Sequence, residues 1–172
     1  VDPGDAEDGY LGNGTPALAR DPREVVLTAV PLGCARKAPL PAPAHVLEVD
    51  YRFHDTSVIA LRLRFDDDRT ARTFHDNRRE NLQACQGRSG GRAIGVLVGK
   101  VQRIGRTTLL SDRTPDSAPW TELAALDGRD VVLVAAQARP GRPPFTPGRA
   151  RALAARFRPR PSAPAHEEGT TP

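Results

Sequence analysis

The chain has 172 residues, 38% of them hydrophobic and 27% charged, with a formal net charge of +4, enough for one domain with a single core and too few for two of ordinary size. No run of 18 apolar residues occurs, so the sequence offers no helix long and apolar enough to cross a bilayer. The basic balance does not point to nucleic acid: it is concentrated in the C-terminal stretch, where seven arginines from Arg139 to Arg160 stand against Glu167 and Glu168, and a specific nucleic-acid module would need basic surface on the core with stacking aromatics.

Residues 1–22 carry Asp2, Asp5, Glu7 and Asp8 among glycines and prolines with almost no apolar periodicity, which predicts a flexible acidic leader. The start at Val1 and the lack of methionine create the expectation that a targeting or anchoring segment precedes this chain. Residues 139–172 hold eight prolines with the arginines and are expected to form a mostly disordered tail. A single domain over residues 23–138 remains.

A strand is expected over residues 24–29. Strict alternation follows in Leu47-Glu48-Val49-Asp50-Tyr51-Arg52-Phe53 and again in Ile59-Ala60-Leu61-Arg62-Leu63-Arg64-Phe65, which predicts two half-buried strands. A hairpin with a five-residue connection, pairing Phe53 with Ile59, puts both apolar sets on one face and sets Asp50 opposite Arg62 and Glu48 opposite Arg64.

Asp66-Asp67-Asp68 then precedes Ala71, Phe74, Leu82 and Cys85, one helical stripe with a gap at Arg78. An aspartate of the cluster caps the helix, and Gly87, Gly90 and Gly91 end it. Residues 94–104 and 107–111 form a second hairpin around Gly105. Residues 120–126 and 129–136 form a third across Asp127-Gly128, and the continuous run Val131 to Val134 reads as a strand covered on both faces or central in the sheet. A short terminal helix over residues 148–157 forms if Leu153 and Phe157 find an apolar groove. The fold class is α+β: a twisted antiparallel sheet of about six strands with one main helix packed on a face.

Cys34 and Cys85 are the only two cysteines. Without a CxxC pair or a Cys/His cluster at zinc spacing, they read as one disulfide in a chain folded in an oxidising compartment. Two unrelated buried cysteines are the alternative.

His54-Asp55 and His75-Asp76 are the only pairs resembling acid/base apparatus, and both histidines read as surface residues because a hairpin tip is open to water and His75 lies off the apolar stripe. With Asp66 to Asp68 they match no metal-ligand spacing. Gly87-Arg88-Ser89-Gly90-Gly91-Arg92 follows a helix C-terminus, where carbonyls point outward, so it reads as a connecting loop and not a phosphate cradle. Ser57, Ser89, Ser111 and Ser117 lack a nucleophile-elbow context. Trp120 reads as a core anchor or else the floor of a ligand groove. Residues 142–147 read as a stiff spacer or a polyproline segment shown to a partner.

Cys34 with Pro39-Leu40-Pro41, the strand holding Tyr51, the strand ending at Phe65-Asp66-Asp67, Ala71 and Phe74 of the helix, and Cys85 together resemble the exported sensor-type domains of actinobacteria. These include the extracellular sensor domain of a mycobacterial membrane serine/threonine kinase and related lipoproteins. The resemblance covers about residues 31–136. It implies an antiparallel sheet with helices, a cleft for an envelope ligand, and no catalysis. Gln83 and Ala84 replace the aromatic residue usual before the helical cysteine, and ligand residues do not carry over.

The expected function is therefore a non-enzymatic exported or cell-envelope binding domain of sensor type, secreted or lipid-anchored, with no cofactor and no metal. An envelope ligand or protein is the expected partner, with an anionic polymer or membrane surface contacted through the arginine-rich tail. The alternative is a small secreted hydrolase or transferase using a His/Asp pair.

Overall fold

Apolar residues alternate with polar ones in the first two long strands, and the computed structural model describes residues 17–18, 22, 38–53, 56–87, 96–115, 119–138 and 145–157. The strands are β1 (Ala17–Leu18), β2 (His45–Phe53), β3 (Thr56–Arg64), β4 (Val96–Arg103), β5 (Thr108–Pro115), β6 (Trp120–Asp127) and β7 (Asp130–Gln137). The helices are α1 (Asp68–Cys85) and α2 (Pro147–Arg156). All six strand pairings are antiparallel, in the order β1-β2-β3-β7-β6-β5-β4. The sheet thus has six long strands and a two-residue edge, and the α+β class holds.

β7 is the middle strand, as its unbroken apolar run requires, and Asp130 to Val134 are all buried. On one face Val46, Leu63, Val131, Leu133, Ala124 and Leu109 close over Ala71 and Phe74 of α1. On the other, Val49, Ala60, Val132, Val134, Leu123 and Leu110 close over Ala150 of α2, with Leu153 and Phe157 packed alongside. The C-terminal helix therefore finds its groove, and packed structure reaches past residue 138. Ala17 and Leu18, within the stretch expected as a leader, pair with Glu48 and Leu47.

The first hairpin differs from expectation. Phe53 pairs with Thr56, not Ile59, so Glu48 faces Leu61 and Asp50 faces Ile59; the Asp50–Arg62 and Glu48–Arg64 pairings do not occur. The shift is odd, so the two large apolar sets fall on opposite faces. The reason is burial on both sides of β3: Leu61, Leu63 and Phe65 serve the α1 layer, while Val58 and Ala60 serve the α2 layer. A two-residue connection at 54–55 also lets all nine residues of β3 pair with β2. The third hairpin turns at Gly128-Arg129, one residue beyond the expected dipeptide, with Asp127 paired to Asp130 and Gly128 at φ 54°, a backbone region that suits glycine.

Asp67 caps α1, its side chain accepting from the Thr70 N–H at 2.7 Å. At the other end Gly87 turns the chain at φ 72° and its N–H donates to the Val98 carbonyl. The buried side of α1 is Ala71, Phe74, His75, Arg78, Asn81, Leu82 and Cys85. His75, expected at the surface, is 1% exposed, and Arg78, the gap in the apolar stripe, is 0% exposed, with a carboxylate partner in Glu122 of the sheet beneath. The expected strand over residues 24–29 and most of the glycine-rich loop lie outside the described residues.

Candidate functional site

Strand periodicity places Arg62 and Arg64 of β3 on the same face as Asp130, the first residue of β7. Both guanidinium groups close on this one carboxylate: Arg62 Nε donates to Asp130 Oδ2 at 3.1 Å, Arg64 Nε to Oδ1 at 2.9 Å, and Arg64 Nη2 to Oδ2 at 3.0 Å. Arg62 Nη2 also donates to Oδ2. The arginine side chains are 52% and 42% exposed, whereas Asp130 is 10% exposed. Burial works to raise the Asp130 carboxyl, but the hydrogen bonds and charges of Arg64 and Arg62 outweigh it and hold the group below its ordinary value. The Asp130 carboxylate in turn raises Arg64.

Arg62 and Asp130 of this cluster line a groove of about 310 Å³. Its floor is the sheet, through Leu47, Val49, Ala60 and Val132. Phe157 and Arg156 at the end of α2 also line it, and so does Asp127, the cross-strand neighbour of Asp130. Leu47, at 38% exposure, is one of only two large hydrophobic residues left open among the described residues. An apolar floor with a few convergent charged groups is the usual make-up of a small-molecule site.

A second polar cluster lies sealed beneath α1. Arg78 donates through Nε, at 3.1 Å, and through Nη2 to Glu122 Oε1 of β6. Desolvation pulls Arg78 down, yet the adjoining carboxylate favours its charged form. One turn earlier, burial pushes His75 down to about 4, against a weaker opposing pull from Asp76, so the ring is neutral at ordinary pH. Its Nδ1 is 3.8 Å from Asp76 Oδ1, too far for a hydrogen bond. His75 Nε2 and Arg78 Nη1 are both buried without a hydrogen-bond partner. A ring so enclosed does not meet a substrate in this conformation. His54 and Asp55 lie outside the described residues.

Alongside α1 the segment before β2 runs in the opposite direction. The Ala38 N–H donates to Asn81 Oδ1 at 3.0 Å, Asn81 Nδ2 returns a bond to the Ala38 carbonyl at 2.8 Å, and Asn77 Nδ2 donates to the Pro39 carbonyl at 2.7 Å. Cys85 packs with Leu82 and Val98, facing the sheet as expected. No cysteine among the described residues is free, and Cys34 lies outside them. Trp120 opens β6 half-buried, opposite Arg113 and Gln137. Among the described residues no group of three or more His, Cys, Asp or Glu could hold a metal ion.

The sequence implies a cleft through the resemblance but points to none of the residues that line this groove. Sequence reading assigned Arg62 and Arg64 to the wrong acids. Two arginines at i and i+2 of one strand, with an aspartate just after a glycine turn, were the available signal.

No protein-family model and no curated protein matches this chain. Among solved structures it is similar to the extracellular domain of PknH from Mycobacterium tuberculosis, with a TM-score of 0.56 and 14% identity over 83% of this chain and 79% of that one. This chain shares the fold of that domain. The resemblance to exported sensor-type domains thus stands as a likeness of architecture.

Proposed function

We propose that this chain is a non-enzymatic binding domain of sensor type, working outside the cell or in the cell envelope, and that the groove between β2, β3, β7 and the end of α2 is its ligand site. The observation that carries the reading is the fold shared with the PknH extracellular domain over 83% of the chain. The groove adds a recognition surface with an apolar floor and fixed charges. The enclosure of His75 removes that ring from the hydrolase or transferase reading.

The proposal includes a Cys34–Cys85 disulfide, in keeping with an oxidising compartment. The arm runs antiparallel to α1, with Ala38 beside Asn81 and Pro39 beside Asn77, so of these two residues Ala38 is the one nearer the Cys85 end of the helix. Four helical residues from Asn81 to Cys85 rise about 6 Å, and the four-residue arm back to Cys34 reaches up to about 13 Å, so the bridge is within span. Lipid anchoring, and contact of the arginine-rich tail with an anionic polymer or membrane surface, belong to the same proposal.

Backbone amide shift mapping of the ¹⁵N-labelled chain against a fragment set of mixed charge tests the site. Shifts gathered at Leu47, Val49, Ala60, Val132 and Phe157 support it. Shifts scattered over the surface, or turnover of an ester or phosphoester fragment, overturn it.

A further inference from the structure

We infer that the outward side of α2 is a docking surface for an anionic lipid bilayer, with Ala152 and Ala155 against the headgroups and Arg149 and Arg151 reaching lipid phosphates from either flank. The inference rests on the anionic contact proposed above for the arginine-rich stretch, moves it onto a folded element, and is independent of what fills the groove.

Sequence sets the charge. From Arg139 to Arg160 every ionisable residue is an arginine, seven in all. Clusters of about four to eight basic residues associated with an amphipathic helix are a common signature of attraction to acidic lipids. Arginine suits phosphate because its planar fork of donors matches the phosphate oxygens.

Structure sets how the charge is shown. Thr146 caps α2, its hydroxyl accepting from the Arg149 N–H at 3.3 Å, and Ala150, Leu153 and Phe157 seat one side of the helix on the sheet. At about 3.6 residues per turn, the opposite side is a crest of Gly148, Ala152 and Ala155. Arg149 and Arg156 run along one flank of that crest and Arg151 along the other, and all six residues are exposed. Small residues on the crest let the helix approach a plane closely, while basic side chains on both flanks extend their stems to it. A thread-like polyanion would meet one flank at a time, so the shape favours a surface. Because packing on the sheet already orders the helix, contact does not carry the entropy of folding it.

The apolar side of α2 is covered by the sheet, so the attraction is electrostatic and does not depend on insertion of that side into lipid. Orientation follows from the other face. There the exposed residues at the start and along α1 mix signs, with Asp66, Asp67, Asp68 and Glu80 among Arg69 and Arg72. The domain therefore turns its α2 side to an acidic membrane.

Sedimentation of the full chain with vesicles of phosphatidylcholine alone, and of phosphatidylcholine mixed equally with phosphatidylglycerol, tests the surface. Binding is expected only to the mixed vesicles and should weaken as salt is raised. Arg149→Gln and Arg151→Gln should each lower the partition coefficient about fivefold, the weight of one basic residue near an acidic membrane. Ala152→Glu sets an acid on the crest and should lower binding far more than Ala163→Glu, which makes the same charge change in the tail. Equal effects of these two variants would put the contact in the tail and overturn the α2 surface. Should Ala152→Glu alter the circular dichroism spectrum, the two glutamine variants decide, and undiminished binding in both overturns it. Equal binding to phosphatidylcholine alone overturns electrostatic docking. Binding to poly-glutamate but to neither vesicle replaces the bilayer with an anionic polymer and overturns the lipid assignment. Binding to none of the three removes the anionic contact altogether, while the groove stands or falls by its own fragment mapping.

Discussion

Arg78 of α1 and Glu122 of β6, 44 positions apart in the chain, meet as an ion pair enclosed between helix and sheet, with side chains 0% and 4% exposed. The contact between helix and sheet thus holds a charged fastener. Such pairs gain little over well-packed apolar residues, because desolvating both ions offsets their attraction, but breaking one side strands a buried charge.

Arg78→Met should therefore cost about 3–5 kcal/mol of unfolding free energy. Arg78→Met combined with Glu122→Leu should be less destabilised than the single variant, since no charge is then left stranded. Urea denaturation of both variants measures this, and additive losses would refute the buried pairing.

His75 sets a second expectation, in acid. Burial pushes it down to about 4 from 6.5, so folding favours the neutral ring. Above about pH 6.5 the full stability is present. As pH falls from about 6.5 toward 4 the unfolded chain takes up a proton that the folded chain excludes, and stability drops by up to about 1.4 kcal/mol per pH unit. The Asp130 carboxylate, held below its ordinary value, is lost only at still lower pH. Urea midpoints at pH 7, 6 and 5 should decline more steeply in the natural chain than in His75→Gln; parallel profiles would remove His75 as the source.

Asp67→Ala deletes the side chain that accepts from Thr70 at the first turn of α1. Loss of a helix N-cap of this kind destabilises the first turn. Hydrogen exchange should show faster exchange in the first turn of α1, with the sheet amides changed only in step with overall stability. Unchanged protection at Thr70 would show that the cap contributes nothing.

Cys85→Ser tests the proposed bridge to Cys34. In the chain-entropy model a disulfide closing about 51 residues contributes roughly 4 kcal/mol. The variant should melt lower than the natural chain under oxidising conditions and level with it in reductant. Equal melting in both conditions, or two titratable thiols in the oxidised natural chain, would count against the bridge.

Much of the architecture was legible because it depends on local signals. The glycines at 105 and 128, the aspartates before α1 and the apolar run of β7 each announce an element through nearest-neighbour chemistry. The register of β2 on β3 was not legible in the same way. Alternation in Leu61, Leu63 and Phe65 marks one buried face, but the smaller Ala60 and Val58 on the other gain meaning only once α2, some ninety positions later, is known to cover them. Arg78 was read as a gap in the apolar stripe for a similar reason: its partner is Glu122 of β6, and side-chain polarity alone does not reveal a distant match. The groove draws on β2, β3, β6, β7 and the end of α2, so no single segment carries its signature.

The strand order has a bearing on how the molecule assembles. β3, complete at Arg64, gains its second neighbour only when β7 arrives at Asp130 to Gln137. During synthesis the amino-terminal hairpin must therefore wait with an open edge, which is the kind of surface that invites pairing with another chain. β7, the last of the described strands, is the keystone joining both halves of the sheet. Cutting the chain ahead of residue 130 would release two unclosed fragments and no smaller working unit.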